Sequence, residues 1–319
     1  MTSNRSMTRR QMLAAGMLGV AVAGPDRANG AESAAKGGAR AAAPFRFCLN
    51  TGTIRGYKLG LEKEIEIAAK AGYDAIEPWM DNVNNFVKGG GSLADLKKRI
   101  ADAGLTVENA IGFPNWVVDD DARRAQGVEQ MKRDMATVAE LGGKRIAAPP
   151  AGANSAPGLD LKKAAERYRA ILDLGDQSGV TPVLELWGSS KNLSRLSEGA
   201  FVALESGHPK ASLLADVFHI YKSGSDFSGL RLLSNRMLQV FHMNDYPADP
   251  PREKARDSDR VFPGDGVAPL GQILRDLADN GGGQVLSLEL FNPNYWKGDV
   301  LQVAKEGLEK TKGAAEKRQ

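Results

Sequence analysis

The sequence predicts a single-domain α/β fold, a (β/α)8 TIM barrel, and three observations lead there. Short apolar runs alternate with amphipathic segments from residue 45 onward. Eight such runs occur, each ending in polar or aromatic residues, as a buried parallel strand opening into a loop does. An open doubly wound sheet would carry a Gly-rich phosphate loop after an early strand, but Asn50 to Gly56 (NTGTIRG) fits no G-x-G-x-x-G pattern.

The strands are read at 45–51 (FRFCLNT), 75–80 (AIEPWM), 106–113 (TVENAIGF), 145–151 (RIAAPPA), 181–188 (TPVLELWG), 211–219 (ASLLADVFH), 238–245 (LQVFHMND) and 285–292 (VLSLELFN). Each is too short for a typical helix. Helices are read between them. Leu61 to Ala71 sets Leu61, Ile65, Ala68 and Ala69 on one face, and Ser92 to Ala103 starts at a capping serine and stops at Gly104. The rest fall at 121–141, 160–178, 194–206, 226–235, 267–280 and 297–312. Gly72, Gly104 and Gly142 follow helices, where glycine supplies the left-handed turn. Gly89-Gly90-Gly91 is read as a loop. The barrel is thus placed at 44–312, with 313–319 as a C-terminal tail.

The N-terminus follows different rules. Arg9-Arg10 precede a mildly apolar stretch from Met12 to Gly24, then Pro25 and Ala28-Asn29-Gly30. That order resembles a twin-arginine signal peptide over residues 1–30, which implies export to the periplasm and cleavage between Ala23 and Gly30. Residues 31–43, rich in Ala and Gly, read as a flexible lead-in. Without residues 1–30, 38 basic and 38 acidic side chains remain, so a nucleic acid is not the expected ligand. Cys48 is the single cysteine and makes no internal disulfide. No apolar run reaches the ~18–20 residues of a stable membrane span.

In a barrel the strand ends converge on one mouth regardless of sequence distance. Glu185 (VLELWG), Asp216 (LLADVFH), His242 (VFHMND) and Glu289 (LSLELFN) end strands five to eight. An unpaired charge inside an apolar strand costs several kcal/mol, which a bound cation removes. Singly, each of the four is more often a structural residue; together at matching positions they are read as ligands of one divalent metal. Three carboxylates and an imidazole suit Mn²⁺ first, with Mg²⁺, Co²⁺ and Zn²⁺ compatible. His219 follows Asp216 as D-x-x-H and reaches the mouth if the chain turns after Phe218. His208, before Pro209, reads as a structural loop histidine. Trp79, Phe113, Trp116, Trp187 and Trp296 stand near strand ends, where rings can stack on sugar faces, or simply pack the core. Glu77, Glu108 and Lys222 are further mouth candidates.

The ordered set E-L-W, D-x-x-H, F-H-x-N-D, R-x-x-P-G-x-G (Arg260 to Gly266) and L-E-L resembles the xylose isomerase-like TIM-barrel superfamily, over residues 45 to about 310. Sugar phosphate isomerases and epimerases are the group it is most similar to. The resemblance implies metal ligation by Glu185, Asp216, His242 and Glu289, and substrate contact by His219 and Arg260. The segment between His242 and Arg260 is longer than in compact epimerases of that group.

Together these readings lead to a metal-dependent isomerase or epimerase of a sugar or sugar-like hydroxy-ketone, working by proton transfer through an enediolate. Glu185 and Glu289 are the expected proton carriers; His219, Arg260, Trp79, Trp116 and Trp187 are the expected substrate contacts. A lyase or dehydratase of a 3-keto sugar, keto-glycoside or inosose uses the same chemistry and is the alternative, followed by a non-catalytic sugar-binding barrel. A trinuclear zinc endonuclease site needs several more histidines than His208, His219 and His242. The expected partner is a small carbohydrate, and a homo-oligomer is compatible with the barrel.

Overall fold

The structure, a computed structural model, describes residues 45–317. The export signal and lead-in read at residues 1–43 lie outside the described residues. Eight parallel strands form the centre: β1 (Phe45–Asn50), β2 (Ala75–Glu77), β3 (Thr106–Val107), β4 (Arg145–Ala148), β5 (Thr181–Glu185), β6 (Leu213–Asp216), β7 (Val240–Met243) and β8 (Gln284–Leu288). They pair in the order β3-β2-β1-β8-β7-β6-β5-β4. The two ends of this ladder meet just beyond β3. There Ala110 N donates to Arg145 O at 3.2 Å, and Ala147 N donates to Ala110 O at 2.8 Å. The fold is the expected (β/α)8 barrel.

Helices cover the outside: α1 (Leu61–Ala71), α2 (Met80–Lys88), α3 (Leu93–Asp102), α4 (Asp121–Glu140), α5 (Leu161–Ser178), α6 (Leu196–Glu205), α7 (Val217–Ser223), α8 (Leu270–Asp279) and α9 (Val300–Glu316). Their starts are chemically marked. Ser92, Asp120, Asp160 and Asp299 each accept a backbone N–H from the first turn of the helix they open. No helix among the described residues is long and apolar enough to cross a membrane.

Several local expectations change, and the strands expected at 106–113 and 145–151 shorten to Thr106–Val107 and Arg145–Ala148. Residues 80–88 form α2, burying Met80 and Val83 three apart, where only a strand end and a loop were expected. The run 211–219 leaves the sheet at Asp216, because its side chain caps α7 by accepting from His219 N at 2.7 Å. The segment 226–235 is a 3-10 helix over Phe227–Leu232, not an α-helix, with Gly229 in its middle. Helix α9 runs to Glu316, into the expected tail, because Ala314 and Ala315 are buried.

The barrel interior is layered. At the strand starts, Glu108 bridges Arg46 and Arg145. Above them Cys48, Ala75, Ile111, Ala147, Val183, Leu214, Val240 and Val285 form a buried apolar plug. Burial pushes the Cys48 thiol up, and Glu77 adds to it, so it stays protonated. The plug forces every polar inward residue of the next layer to be satisfied by its neighbours or by something bound.

Candidate active site

Strand alternation delivers that next layer. Two residues beyond plug residues Val183, Leu214 and Val240 on the same strands stand Glu185, Asp216 and His242. Glu289 follows β8, its N–H still bonded to Met243 O at 3.0 Å. All four are at most 4% exposed. The structure brings Asp216, His242 and Glu289 together, with one ligand atom of each within 4.8 Å of the others. Glu185 lines the same cavity but stands outside this cluster.

His242 is held from below by a residue that sequence reasoning left as a minor candidate. Its Nε2 lies 3.1 Å from both oxygens of Glu77, which also accepts from Asn50, Asn109 and Ser287. A carboxylate at Nε2 holds a ring proton there and turns Nδ1 toward Glu289 and Asp216. Nδ1 has no hydrogen-bond partner, and lies 3.2 Å from Glu289 Oε2 and 3.9 Å from Asp216 Oδ2. Burial alone would lower the imidazole; Glu289 and Glu77 outweigh it and raise it well above its ordinary value.

Arg260 closes the other side. Its side chain is buried, donating from Nη1 to Asp216 Oδ2 (3.0 Å) and Glu289 Oε2 (2.8 Å) and from Nη2 to Asp257 Oδ1 (2.6 Å). The rings of Phe218 and Phe291 lie 5.0 and 5.1 Å from its guanidinium carbon. Nη2 also points at His219 Nε2 at 3.2 Å. Because arginine only donates, His219 accepts there and carries its proton on Nδ1, an atom without a partner. Burial lowers the imidazole, keeping it neutral. The F-H-x-N-D and P-G-x-G motifs frame this arrangement. Asn244 donates to Asp216 Oδ2 and accepts from Phe218 N, both at 2.9 Å. Asp245 accepts from the backbone of Gly264, Gly266 and Ala268. A Cβ at Gly266 would meet Asp245 Oδ1 at 2.3 Å, so only glycine fits.

Above the cluster opens a cavity of about 310 Å³. Trp79, Trp187, His219 and Arg260 line it, as expected, and so do Phe113 and Phe291. Trp79 and Phe113 lie 5.2 Å apart, Phe113 and Trp187 5.9 Å, and Trp79 and Phe291 5.9 Å, making an aromatic wall. Trp116 is not part of it. Fully buried, it packs on Tyr168 and donates Nε1 to Pro149 O at 2.8 Å, so its expected substrate contact is corrected to core packing. Trp296 is likewise outside the cavity, donating to Thr53 O. Glu108 sits with Arg46 and Arg145 at the strand starts rather than at the mouth. Lys222 lines an adjoining cavity, and His208 is tied to Asp176 at 3.2 Å, a structural histidine as read. Sequence reasoning missed Phe291; its position directly after the L-E-L strand end was the available signal.

The charges fit a divalent cation. Asp216, Asp257 and Glu289 meet Arg260, while Glu77 lies against His242 and Glu185 is influenced by Glu289, His242 and Glu77. Burial, then Glu289, push the Glu185 carboxyl up to about 8, and its Oε2 has no partner. Glu289 moves the other way: despite burial, His242 and Arg260 hold its carboxyl well below the usual carboxylate range. Asp216 Oδ2, Glu289 Oε2 and His242 Nδ1 face one another, and a divalent cation among them would displace the imidazole proton and take over from Arg260 Nη1, which donates to both carboxylates.

Known proteins resemble the whole barrel. The chain is 29% identical to inosose isomerase of Bacillus velezensis over 279 residues, covering 86% of this chain and 98% of the relative. It is 30% identical to L-ribulose 3-epimerase of Mesorhizobium japonicum over 171 residues, 50% of this chain and 56% of that one. Among solved structures, the IOLI protein with a binding zinc atom superposes with a TM-score of 0.79 at 23% identity, over 86% of this chain and 99% of that one. The family model described as the xylose isomerase-like TIM barrel matches residues 65–314, and the chain belongs to that family.

Proposed function

We propose that the chain is a divalent-metal-dependent isomerase or epimerase of a sugar-like hydroxy-ketone. The observation that carries this reading is the convergence of Asp216, His242 and Glu289 beneath a cavity that also holds Glu185. The isomerase and epimerase named among its relatives, and the zinc atom named for one structural neighbour, support it. Asp216, His242 and Glu289 would hold the metal, with Glu185 the fourth ligand as the cavity fills. Bound there, the cation supplies Lewis acidity to adjacent hydroxyl and carbonyl oxygens of the substrate.

The chain's own residues do the rest. Glu185 and Glu289 both line the cavity and are the pair of carboxylates placed to move protons there. Glu289 takes a proton from one face of the substrate carbon. Glu185 Oε2 delivers one from the opposite face, or to the neighbouring carbon. Such transfers contribute ~10²–10⁴-fold each. His219 donates from Nδ1 to a substrate oxygen, and Arg260 holds that tautomer. The aromatic wall of Trp79, Phe113 and Trp187 stacks on the apolar face of the ring. We further place the mature enzyme in the periplasm, so N-terminal sequencing of exported protein should begin between residues 24 and 31.

The test is incubation of Mn²⁺-loaded protein with ketoses and keto-glycosides in D₂O. Deuterium in a recovered isomer supports the reading, and a chelator should abolish it. Loss of water or of a fragment would instead indicate a lyase; a 3-dehydroshikimate dehydratase of Pseudomonas aeruginosa is 25% identical over 78% of this chain, which spans 39% of that longer protein. Binding without exchange or breakdown would overturn both.

A further inference from the structure

The loop after β5 and the long segment before Arg260 build a second cavity beside the first. It measures about 850 Å³ and shares Ser189, Ser190 and Asp257 with the aromatic-walled cavity. Local packing makes the junction. A Cβ at Gly188 would meet His219 O at 2.4 Å and Lys222 Cβ at 2.8 Å, so glycine lets the β5 loop lie against α7. Lys222 Nζ then donates to the carbonyls of Arg252 and Glu253, at 2.8 and 3.0 Å, tying the long segment to α7.

The two cavities differ in charge, and the outer one is the more basic. The inner one has Glu185, Glu289 and Asp257 against Arg260. The outer one has Lys191, Lys222, Arg252, Lys254 and Arg256 against Glu253 and Asp257. Its acids are already engaged: Asp257 by Arg260 at 2.6 Å and Glu253 by Arg252 at 3.2 Å. Lys191 and Arg256 enter no ion pair found among the described residues. An anionic group would be attracted to the basic outer cavity, which orients any substrate bearing it.

We propose that this basic groove binds an anionic substituent at the far end of the substrate, so that the reacting compound is an acidic sugar derivative, a carboxylate or a phosphate ester, and not a neutral polyol. The inference rests on the reading of the inner cavity as a sugar site. It deepens that reading by naming the substrate class.

The experiment is calorimetric titration of the full chain with D-glucuronate, D-glucose 6-phosphate and D-glucose at low salt. At least one of the two anions should bind roughly tenfold or more tightly than glucose, since charge-assisted contacts to Lys191 and Arg256 act on it alone. The stronger of the two identifies the group. Raising salt to about 0.5 M should shrink that preference, and the double substitution Lys191→Met with Arg256→Met should remove it. Anions that bind no better than glucose, or a preference that survives the double substitution, would overturn the proposal. Because the readout is binding, it is independent of the D₂O exchange: exchange can fail while the anion preference holds, and the reverse.

Discussion

His242 Nε2 lies 3.1 Å from each oxygen of the Glu77 carboxylate, and both side chains are wholly buried. A second carboxylate behind a ligating histidine fixes the ring and raises its basicity. Replacing Glu77 by Gln keeps the volume but removes the charge and lets the amide turn a donor toward Nε2. Metal affinity should fall ~10–100-fold, the usual range for such partners. Titration with Mn²⁺, followed by calorimetry, checks this; an unchanged dissociation constant would show that Glu77 merely fills space.

A second buried carboxylate predicts a pH effect unrelated to catalysis. Glu64, in the first turn of α1, is 1% exposed, accepts one hydrogen bond from Asn82 at 2.9 Å and leaves Oε2 without a partner. Burial pushes its carboxyl up to about 7. Because the native state holds this proton more tightly than the unfolded chain, Glu64 favours folding fully below the ordinary glutamate range. That contribution is lost as pH rises toward 7, a fall on the order of 3 kcal/mol. Glu64→Gln should therefore match the natural protein in stability near pH 4 and exceed it increasingly up to pH 8. Urea melts across that range test it, and parallel curves would refute it.

The strands were legible, and so was the convergence of Asp216, His242 and Glu289, because they obey local rules; Glu185, read with them, lines the cavity outside their cluster. A short, mostly apolar run closed by a carboxylate fits a buried strand that opens on a polar mouth, as before Glu185, Asp216 and Glu289 at the ends of β5, β6 and β8. What sequence hid is set by distance or by direction. Glu77 ends its strand as Glu185 does, yet it supports His242, 165 positions away. The apolar Val217 and Phe218 continue the pattern of β6 although the backbone has already turned into α7 under the cap of Asp216. Trp116 and Trp187 both follow strands, and nothing beside them in sequence says which ring turns into the core. Their rotamers are decided by Tyr168 and Pro149 for one and by the open cavity for the other.

Those two tryptophans should separate stability from binding. Trp116→Ala leaves a void in the core and an unpaired Pro149 carbonyl, costing about 3–5 kcal/mol of stability. Ligand affinity in protein that remains folded should change little. Trp187→Ala removes part of the cavity wall, so it should weaken sugar binding several-fold with a much smaller change in melting temperature. Thermal denaturation and ligand titration on both variants decide it. A Trp116 variant that melts normally would contradict its assignment to the core.

Arg260 carries the largest electrostatic responsibility in the site. One planar guanidinium reaches Asp216, Glu289 and Asp257 at 2.6–3.0 Å and sets the His219 tautomer. A lysine ammonium keeps the charge but cannot present that fork, so Arg260→Lys leaves at least one buried carboxylate short of a donor. The expected loss is about 2 kcal/mol of stability, and nearer 3–5 kcal/mol for Arg260→Met, which removes the charge as well. The tautomer gives a sharper readout than stability. In the natural protein, nitrogen NMR of His219 should show the proton on Nδ1, because Nε2 accepts from Arg260. In Arg260→Met that constraint is gone, and the ring should populate both tautomers or protonate more readily beside Asp216 and Asp257, which both raise its proton affinity. A His219 spectrum unchanged by this substitution would mean that the arginine does not govern the imidazole, and that substrate hydrogen bonding by Nδ1 needs another source of order.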